Sequence, residues 1–224
     1  MIDFVPTTTA EMVFSDNETK RLINDILSHR VTFPAYGKNS LILFGVFGSG
    51  KTTYAKIFFD EYERSYNGDT AFVTEFVVDS SEKITTIINK ITQIADKVPL
   101  FNHSNKHYFF FDEFDNYQLE QQARLKHFLN RNNIICIMTT NNLHKIDKGI
   151  INRSHVINFN ASSNLDEYVE RMRQIIKDNY FPNLNYETLK EIAEESNGSW
   201  RDMSYLLEQC CNKVKPKLTL VKSF

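Results

Sequence analysis

The stretch LILFGVFGSGKTT, residues 41–53, runs from apolar residues into a glycine-rich segment that ends in a lysine and threonines. Its spacing, Gly45-x-x-x-x-Gly50-Lys51-Thr52, is that of a phosphate-binding loop. In such a loop successive backbone N–H groups point at phosphate oxygens, and the positive end of the following helix adds to the attraction. The stretch therefore predicts a buried strand, a nucleotide-binding loop and a helix that begins near Lys51.

The motif predicts a different function for each type of residue in this loop. Its glycines allow backbone conformations that a side chain would forbid. The Lys51 ammonium group would reach the β- and γ-phosphates, and the Thr52 hydroxyl would ligate Mg²⁺. The motif identifies a nucleotide site but not the use made of the nucleotide's energy. The loop residues predicted to bind the cofactor are Gly45, Gly48, Ser49, Gly50, Lys51, Thr52 and Thr53.

The composition is that of a globular protein outside the membrane. Of the 224 residues 42% are hydrophobic, and no apolar run approaches the roughly 20 residues of a membrane span. The start, MIDFVPTTTA, has neither the basic head nor the apolar stretch of a secretory signal. Cys136, Cys210 and Cys211 are odd in number, which fits a reducing compartment. We expect a cytoplasmic protein, and the Asn-, Lys-, Ile- and Phe-rich composition indicates a bacterial, phage or mobile-element source with an AT-rich genome.

The charge balance bears on nucleic-acid binding. The formal net charge is −2, so the whole chain lacks the basic character of a nucleic-acid-binding domain. Any contact with DNA must come from a local basic face or from an assembly that brings several such faces together.

Strands and helices alternate along most of the chain. Apolar strand patterns occupy 70–79, 107–115, 133–142 and 155–159, and helical patterns occupy 80–97 and 119–131. Beyond Asn164 the patterns are helical only. We therefore predict an α/β fold, in which a parallel sheet flanked by helices is followed by a small all-helical lid. The predicted units are a nucleotide-binding core at 1–162, a helical lid at 163–214 and a short tail at 215–224.

A second motif is the strand HYFFFDEFD, which ends in carboxylates. Ligands of open parallel sheets bind beyond the carboxyl ends of the strands, where the phosphate loop also lies. Asp112 can then hold Mg²⁺, and Glu113 can accept a proton from a water that attacks the γ-phosphate. A solvated acidic turn is the alternative. Asp115 is interpreted as a cap of the next helix.

Three further side chains are candidates for the same reaction. Asn141 closes the strand NIICIMTTNN and could contact the γ-phosphate or the attacking water, although Asn is also a common turn former. Arg153 precedes a short strand, where an arginine is usually a surface charge; it would act as an arginine finger if a neighbouring subunit's nucleotide lay close by. Arg201 lies in the first turn of the last helix, where it opposes the helix dipole and calls for an anionic partner.

The ordered set of motifs resembles the AAA+ ATPases, and its spacing is most similar to the small subunits of sliding-clamp loaders, that is, replication factor C and its phage counterparts. The resemblance covers about residues 4–212. It implies that Asn141 is the sensor 1 residue and that Arg153 acts on the ATP of the adjacent subunit. It also makes Arg201, three residues after Gly198, the sensor 2 arginine. By the same resemblance the adenine site is lined by Val5, Pro6, Met12 and Val13.

The resemblance also implies a function. It predicts an ATP hydrolase that uses ATP and Mg²⁺ and assembles with itself into a ring or filament. This oligomeric ATPase would load or remodel a component of DNA replication, with DNA and a sliding clamp or helicase as partners. The candidate catalytic residues are Lys51, Glu113, Asn141, Arg153 and Arg201.

The sequence departs from that family in two ways. The serine and cysteine that flank the finger arginine are replaced by Asn152 and Ser154. The helical collar domain of clamp loaders has no counterpart in 215–224, which indicates either a piece of a longer protein or a compact relative.

The same motifs are compatible with other functions. A helicase loader or a transposition ATPase would show the same motifs. A monomeric kinase is disfavoured by Arg153 and Arg201, and a non-catalytic scaffold by the intact Lys51, Asp112 and Glu113.

Overall fold

The computed structural model describes residues 5–77, 84–160, 164–181 and 183–214. The strands in these ranges are β1 (Ser40–Phe44), β2 (Val73–Val77), β3 (His107–Asp112), β4 (Ile134–Thr140) and β5 (Ser154–Asn158). They form a sheet in the order β2-β3-β4-β1-β5, and every neighbouring pair is parallel. The predicted α/β fold with a parallel sheet is confirmed.

Along the chain, helices precede the first strand, connect successive strands and come after the last strand. The helices are α1 (Asn17–Leu27), α2 (Lys51–Arg64), α3 (Ile84–Ala95), α4 (Leu119–Leu125), α5 (Lys148–Asn152), α6 (Leu165–Asp178), α7 (Tyr186–Glu195) and α8 (Trp200–Val214).

The two faces of the sheet are covered by separate apolar clusters. Successive side chains of a strand point to opposite faces, so Leu41 and Leu43 join one cluster while Ile42 joins the other. The first cluster includes Phe58 of α2, and the second includes Ile87 of α3. Each fully buried side chain of this size contributes roughly 1.5–3 kcal/mol. Because both faces are covered, the open carboxyl edge of the sheet is left for a ligand.

Helices α6, α7 and α8 form a third apolar cluster apart from the sheet. Met172, Leu189 and Leu207, one from each helix, are buried in it. This cluster is the helical lid that the sequence predicts. The predicted division between residues 162 and 163 and the tail at 215–224 lie outside the described residues.

Two predicted elements are shorter in the structure. Strand β3 ends at Asp112, because Glu113 takes a left-handed backbone (φ 55°) and a 3-10 turn follows. Helix α4 ends at Leu125 instead of 131, because the Lys126 N–H bonds the carbonyl three residues back and a second 3-10 turn covers Phe128–Asn130. The strand predicted at 70–79 and the helix predicted at 80–97 are observed as β2 and α3, and 78–83 lie outside the described residues.

The cysteines are free thiols. Cys136 is fully buried in β4, and burial raises its pKa. Cys210 is half-buried and Cys211 is buried in α8. In the described ranges, no helix has the length and apolar character needed to cross a membrane.

Candidate nucleotide site

The phosphate loop lies between β1 and α2, in the strand–loop–helix order that the motif predicts. Gly50 caps α2 with φ 94°, a left-handed conformation that favours glycine. A Cβ on Gly48 would lie 2.6 Å from the Ser199 Oγ of the lid, so the loop and the lid approach too closely for a side chain there. On the sheet side, the Val46 N–H donates to Asn160 Oδ1 at 2.9 Å. The loop is thereby fixed from both sides.

The Lys51 side chain is folded over the loop. Its Nζ donates to the carbonyl oxygens of Gly45 at 2.8 Å and Val46 at 2.7 Å. Burial lowers the pKa of Lys51 to about 8, although the nearby Asp112 and Asp115 carboxylates act in the opposite direction. A phosphate group would supply the negative charge that this buried ammonium group lacks.

A cavity of about 360 Å³ opens beside the loop. Its walls come from the N-terminal segment, the loop with the start of α2, and the lid. The lining residues are Val5, Pro6, Glu11, Met12, Gly48, Ser49, Gly50, Lys51, Thr52, Thr53, Arg171, Trp200, Arg201 and Ser204. The predicted adenine-site residues Val5, Pro6 and Met12 thus lie at the same cavity as the phosphate loop.

Val13 does not lie where the resemblance implies. Its side chain is buried in the lid cluster, whereas Met12 and Phe14 belong to the first cluster, on the face of the sheet that α2 covers. The chain is extended at Met12 (φ −84°, ψ 143°), so neighbouring side chains point to opposite sides. The segment therefore joins the core to the lid, and Val13 is on its lid side.

The lid contacts the loop through the start of α8. The Arg201 N–H donates to the Gly48 carbonyl at 3.4 Å, and the Arg201 side chain lines the cavity. The Ser199 Oγ accepts from the Asp202 N–H at 3.3 Å, which supports the first turn of the helix. Arg201 is therefore placed at the cleft between lid and loop.

Arg171 is a cavity residue that sequence reasoning missed. It lies on α6, its side chain is 14% exposed, and its guanidinium is 3.1 Å from the Glu11 carboxylate. The available signal was its position three residues after Tyr168 and four before Ile175, on the buried face of the helix. Arg171 and Glu11 connect the lid to the N-terminal segment that lines the cavity.

Asp112 is held at the carboxyl end of β3 by hydroxyl groups. The Thr52 Oγ1 lies 3.2 Å from both carboxylate oxygens, and the Thr139 Oγ1 donates to Oδ1 at 2.5 Å. Thr139 is buried in β4, and the sequence motifs do not predict its role. The hydroxyl of Thr52 and the carboxylate of Asp112 are hard oxygen ligands of the kind that Mg²⁺ prefers, so these two residues could hold the ion beside the phosphates.

Glu113 follows at the same edge of the sheet. Its N–H donates to Thr139 Oγ1 at 2.9 Å, and its exposed carboxylate accepts from Asn116 Nδ2 at 3.1 Å. Thr139 thus orients both acidic residues. Asp115 does not cap α4 as predicted, because Gln118 occupies the N-cap position and Asp115 lies in the preceding 3-10 turn.

Asn141 lies beside a second cavity, of about 410 Å³. Within the described residues its Oδ1 is buried and accepts no hydrogen bond, which leaves an unsatisfied acceptor beside this cavity. The lining residues of this second cavity are Phe47, Glu113, Asp115, Asn116, Asn141, Asn142 and Lys145. The structure brings Glu113 and Asn141 together, as the sequence predicts.

Arg153 lies at the opposite edge of the sheet. Its carbonyl accepts from the Asn39 N–H at 3.1 Å and from the Ser40 hydroxyl at 3.0 Å, at the start of β1. Five residues of β1 at about 3.3 Å each separate this edge from the phosphate loop by about 17 Å. Its guanidinium donates to Asn130 Oδ1 at 2.9 Å and to the Gly149 carbonyl at 2.8 Å. Arg153 cannot reach the phosphate loop of its own chain.

The motifs and the fold agree with a family comparison. The family model described as "ATPase family associated with various cellular activities (AAA)" matches residues 41–162, which is more than half of the chain. The chain belongs to the AAA ATPase family. As a member of this family it is an ATP hydrolase, and the cavity beside the phosphate loop is the candidate ATP site. No curated protein matches the sequence.

Solved AAA+ structures share the fold at low sequence identity. The Thermotoga maritima RuvB Holliday junction branch migration motor has a TM-score of 0.62 and 15% identity, over 92% of this chain and 64% of that chain. For PCH-2 of C. elegans the values are 0.61 and 14%, over 92% and 65%. For a chain of the E. coli MS115-1 HORMA:CdnC:Trip13 complex the TM-score is 0.59 and the identity 15%, over 92% of this chain and 90% of that chain. The chain thus spans less than two thirds of the RuvB and PCH-2 chains.

The first prediction concerns the buried lysine of the loop. Lys51→Ala should weaken ATP binding by more than about tenfold, or ~1.4 kcal/mol, because the charge that neutralises the β- and γ-phosphates is lost. Titration calorimetry with ATP and Mg²⁺ measures the change. Lys56→Ala, on an exposed lysine of the same helix, is the matched control and should bind as the parent chain does. A Lys51→Ala affinity within tenfold of the parent value would contradict the loop assignment.

Proposed function

We propose that this AAA ATPase acts as an oligomer in which Arg153 of one copy completes the ATP site of the next. The observation that carries the proposal is the position of Arg153 at the sheet edge away from its own phosphate loop. An arginine there can act on γ-phosphate only in trans. Such an arginine stabilises the charge of the phosphoryl-transfer transition state.

The geometry of this contact favours a ring or a filament. The edge that carries Arg153 and the opening beside Glu113 are different surfaces of one chain. A contact between two different surfaces is heterologous, so it repeats until it closes into a ring or continues as a helix.

Within that assembly each site residue has a proposed role. Lys51 neutralises phosphate charge, and Thr52 and Asp112 hold Mg²⁺, which supplies further charge neutralisation when bound. Glu113 takes the proton of the attacking water, after its carboxylate has left Asn116. Asn141 contacts that water or the γ-phosphate through its side-chain amide.

We further propose that the assembly loads or remodels a component of DNA replication, with clamp loading as its most specific form. The support is the clamp-loader-like order of the Asp112-Glu113, Asn141, Arg153 and Arg201 motifs along the chain. The alternative is a DNA-associated regulator such as a helicase loader or a transposition ATPase. The two differ in the protein that the assembly acts on.

Native mass measurement tests the proposed oligomeric function. The purified chain should be monomeric or weakly associated alone, and should form assemblies of defined size with a non-hydrolysable ATP analogue and Mg²⁺. Primed DNA should stabilise those assemblies further. A chain that stays monomeric at all concentrations with the analogue, with and without DNA, would contradict the oligomeric function.

The position of Arg201 leads to a prediction about the lid. Arg201→Ala should leave the lid as sensitive to protease with ATP as without it, because the side chain between lid and phosphates is missing. The parent chain should be protected by ATP. Limited proteolysis measures the difference, and Arg173→Ala, on an exposed lid arginine, serves as the control. ATP-dependent protection in Arg201→Ala equal to the parent's would refute the sensor 2 role.

A further inference from the structure

The turn before β1 places an aromatic ring in solvent. Ala35 and Lys38 exchange backbone hydrogen bonds at 3.3 and 2.8 Å, so Tyr36 and Gly37 form a two-residue turn. The Tyr36 side chain is fully exposed, with a relative accessibility of 101%. Tyrosine is among the residues that contribute most to binding at protein interfaces.

The backbone of this turn suits a smaller residue. Tyr36 has φ 53° and Gly37 has φ 75°, and turns with positive φ at both central positions favour Asn, Asp or Gly. A tyrosine at the first position is therefore unfavourable for the isolated chain. Because its ring is exposed, packing within the chain does little to offset this cost. This combination points to a role in contact with another molecule.

Hydrogen bonds attach the turn to the segment that carries Arg153. Lys38 Nζ donates to the carbonyl oxygens of Asn152 at 3.2 Å and Ser154 at 2.9 Å. The turn that carries Tyr36 is therefore attached to the residues on either side of Arg153, and we call Tyr36, Lys38 and Arg153 together the arginine face.

The second cavity offers a complementary surface. A finger arginine has to enter there, because Glu113 and Asn141 line it. Phe47 stands at the same cavity with 69% of its side chain exposed, a large apolar ring on the phosphate loop itself. The lining of the second cavity contains two carboxylates, Glu113 and Asp115, and one lysine, Lys145. The arginine face carries two cations, so the two surfaces are complementary in charge.

We propose that the arginine face docks on the second cavity of another copy of this chain, with Tyr36 packed against the partner's Phe47. The inference rests on the proposed trans action of Arg153 and adds the residue that sets the affinity between copies. Aromatic rings that meet in offset or edge-to-face geometry contribute beyond the area they bury. Tyr36 is thus a docking residue and takes no part in the chemistry.

Tyr36→Asn tests this role, because asparagine suits the positive φ and removes the ring. The protein concentration that gives half-maximal ATPase rate per chain should rise at least about tenfold, as expected for an aromatic interface residue. The rate at saturating concentration and the affinity of the isolated chain for ATP should stay as in the parent. Tyr36→Phe, which keeps the ring, should behave as the parent does.

Tyr180→Asn is the matched control, since Tyr180 is also 95% exposed with φ 55° but lies in the lid. It should leave the concentration dependence unchanged. If Tyr36→Asn does not shift the half-maximal concentration, or if Tyr180→Asn shifts it equally, the docking role is overturned while trans action of Arg153 stands. A parent rate per chain that is independent of concentration, in a chain that is monomeric, would instead overturn the proposed function.

A disulfide cross-link tests the pairing itself. Tyr36→Cys and Phe47→Cys variants, mixed with an ATP analogue and oxidised, should give covalent dimers. Each variant alone, and the parent with its native thiols, should give only background. A mixture with no dimer above that background would overturn the contact between Tyr36 and Phe47.

Discussion

Glu113→Gln should bind ATP as tightly as the parent chain and hydrolyse it about 10²–10⁴-fold more slowly. The amide has the shape of the carboxylate but cannot accept a proton from the attacking water. Binding should survive because Glu113 lies outside the phosphate-loop contacts, and its backbone remains fixed by Thr139. Phosphate release and nucleotide titration measure the two effects separately.

Glu120→Gln is the control for that substitution, because Glu120 is an exposed carboxylate on α4. Its turnover should equal that of the parent chain. Turnover in Glu113→Gln within tenfold of the parent rate would remove Glu113 from the role of base. A loss of ATP binding in the same variant would assign it to the binding of nucleotide.

Arg153→Ala should bind ATP nearly normally and hydrolyse it on the order of 10³-fold more slowly, as expected when a finger arginine is removed. The side chain cannot touch the nucleotide of its own chain, so monomer binding has no reason to change. The measurement is the ATPase rate at a protein concentration that saturates assembly.

Arg153 also holds its own chain together through Asn130 and Gly149, so stability must be measured beside activity. We expect the unfolding midpoint to fall little, because one of these two hydrogen bonds is exposed and the other is only partly buried. Arg124→Ala, on an exposed arginine of α4, should leave the rate unchanged. A rate for Arg153→Ala near the parent value at saturating concentration would contradict trans action.

The parts of the site that can be predicted are those in which each motif lies within a single short segment of the chain. The phosphate loop is contiguous, so its spacing alone places Lys51 and Thr52. The positions of Asp112 and Glu113 are predictable because parallel strands present their carboxyl ends at one edge of the sheet. Asn141 followed by the same argument from the next strand.

The parts that were missed depend on contacts between distant segments. Strands β3 and β4 pair with Phe111 opposite Met138, which brings Thr139 beside Asp112. The sequence alone does not specify this register. Arg171 meets Glu11 only after the lid has packed on the N-terminal segment. The family resemblance places Val13 on the nucleotide side, and nothing in the sequence fixes which face of this extended segment meets the lid.

The most direct test of the account is a mixture of Arg153→Ala and Glu113→Gln chains. At an interface where an Arg153→Ala chain binds ATP and a Glu113→Gln neighbour supplies the arginine, both groups are intact. Random mixing makes about one quarter of the interfaces competent, so the rate per chain should recover toward that fraction of the parent rate. A rate equal to the average of the two variants, in assemblies shown by mass to contain both chains, would contradict an arginine that acts across the interface.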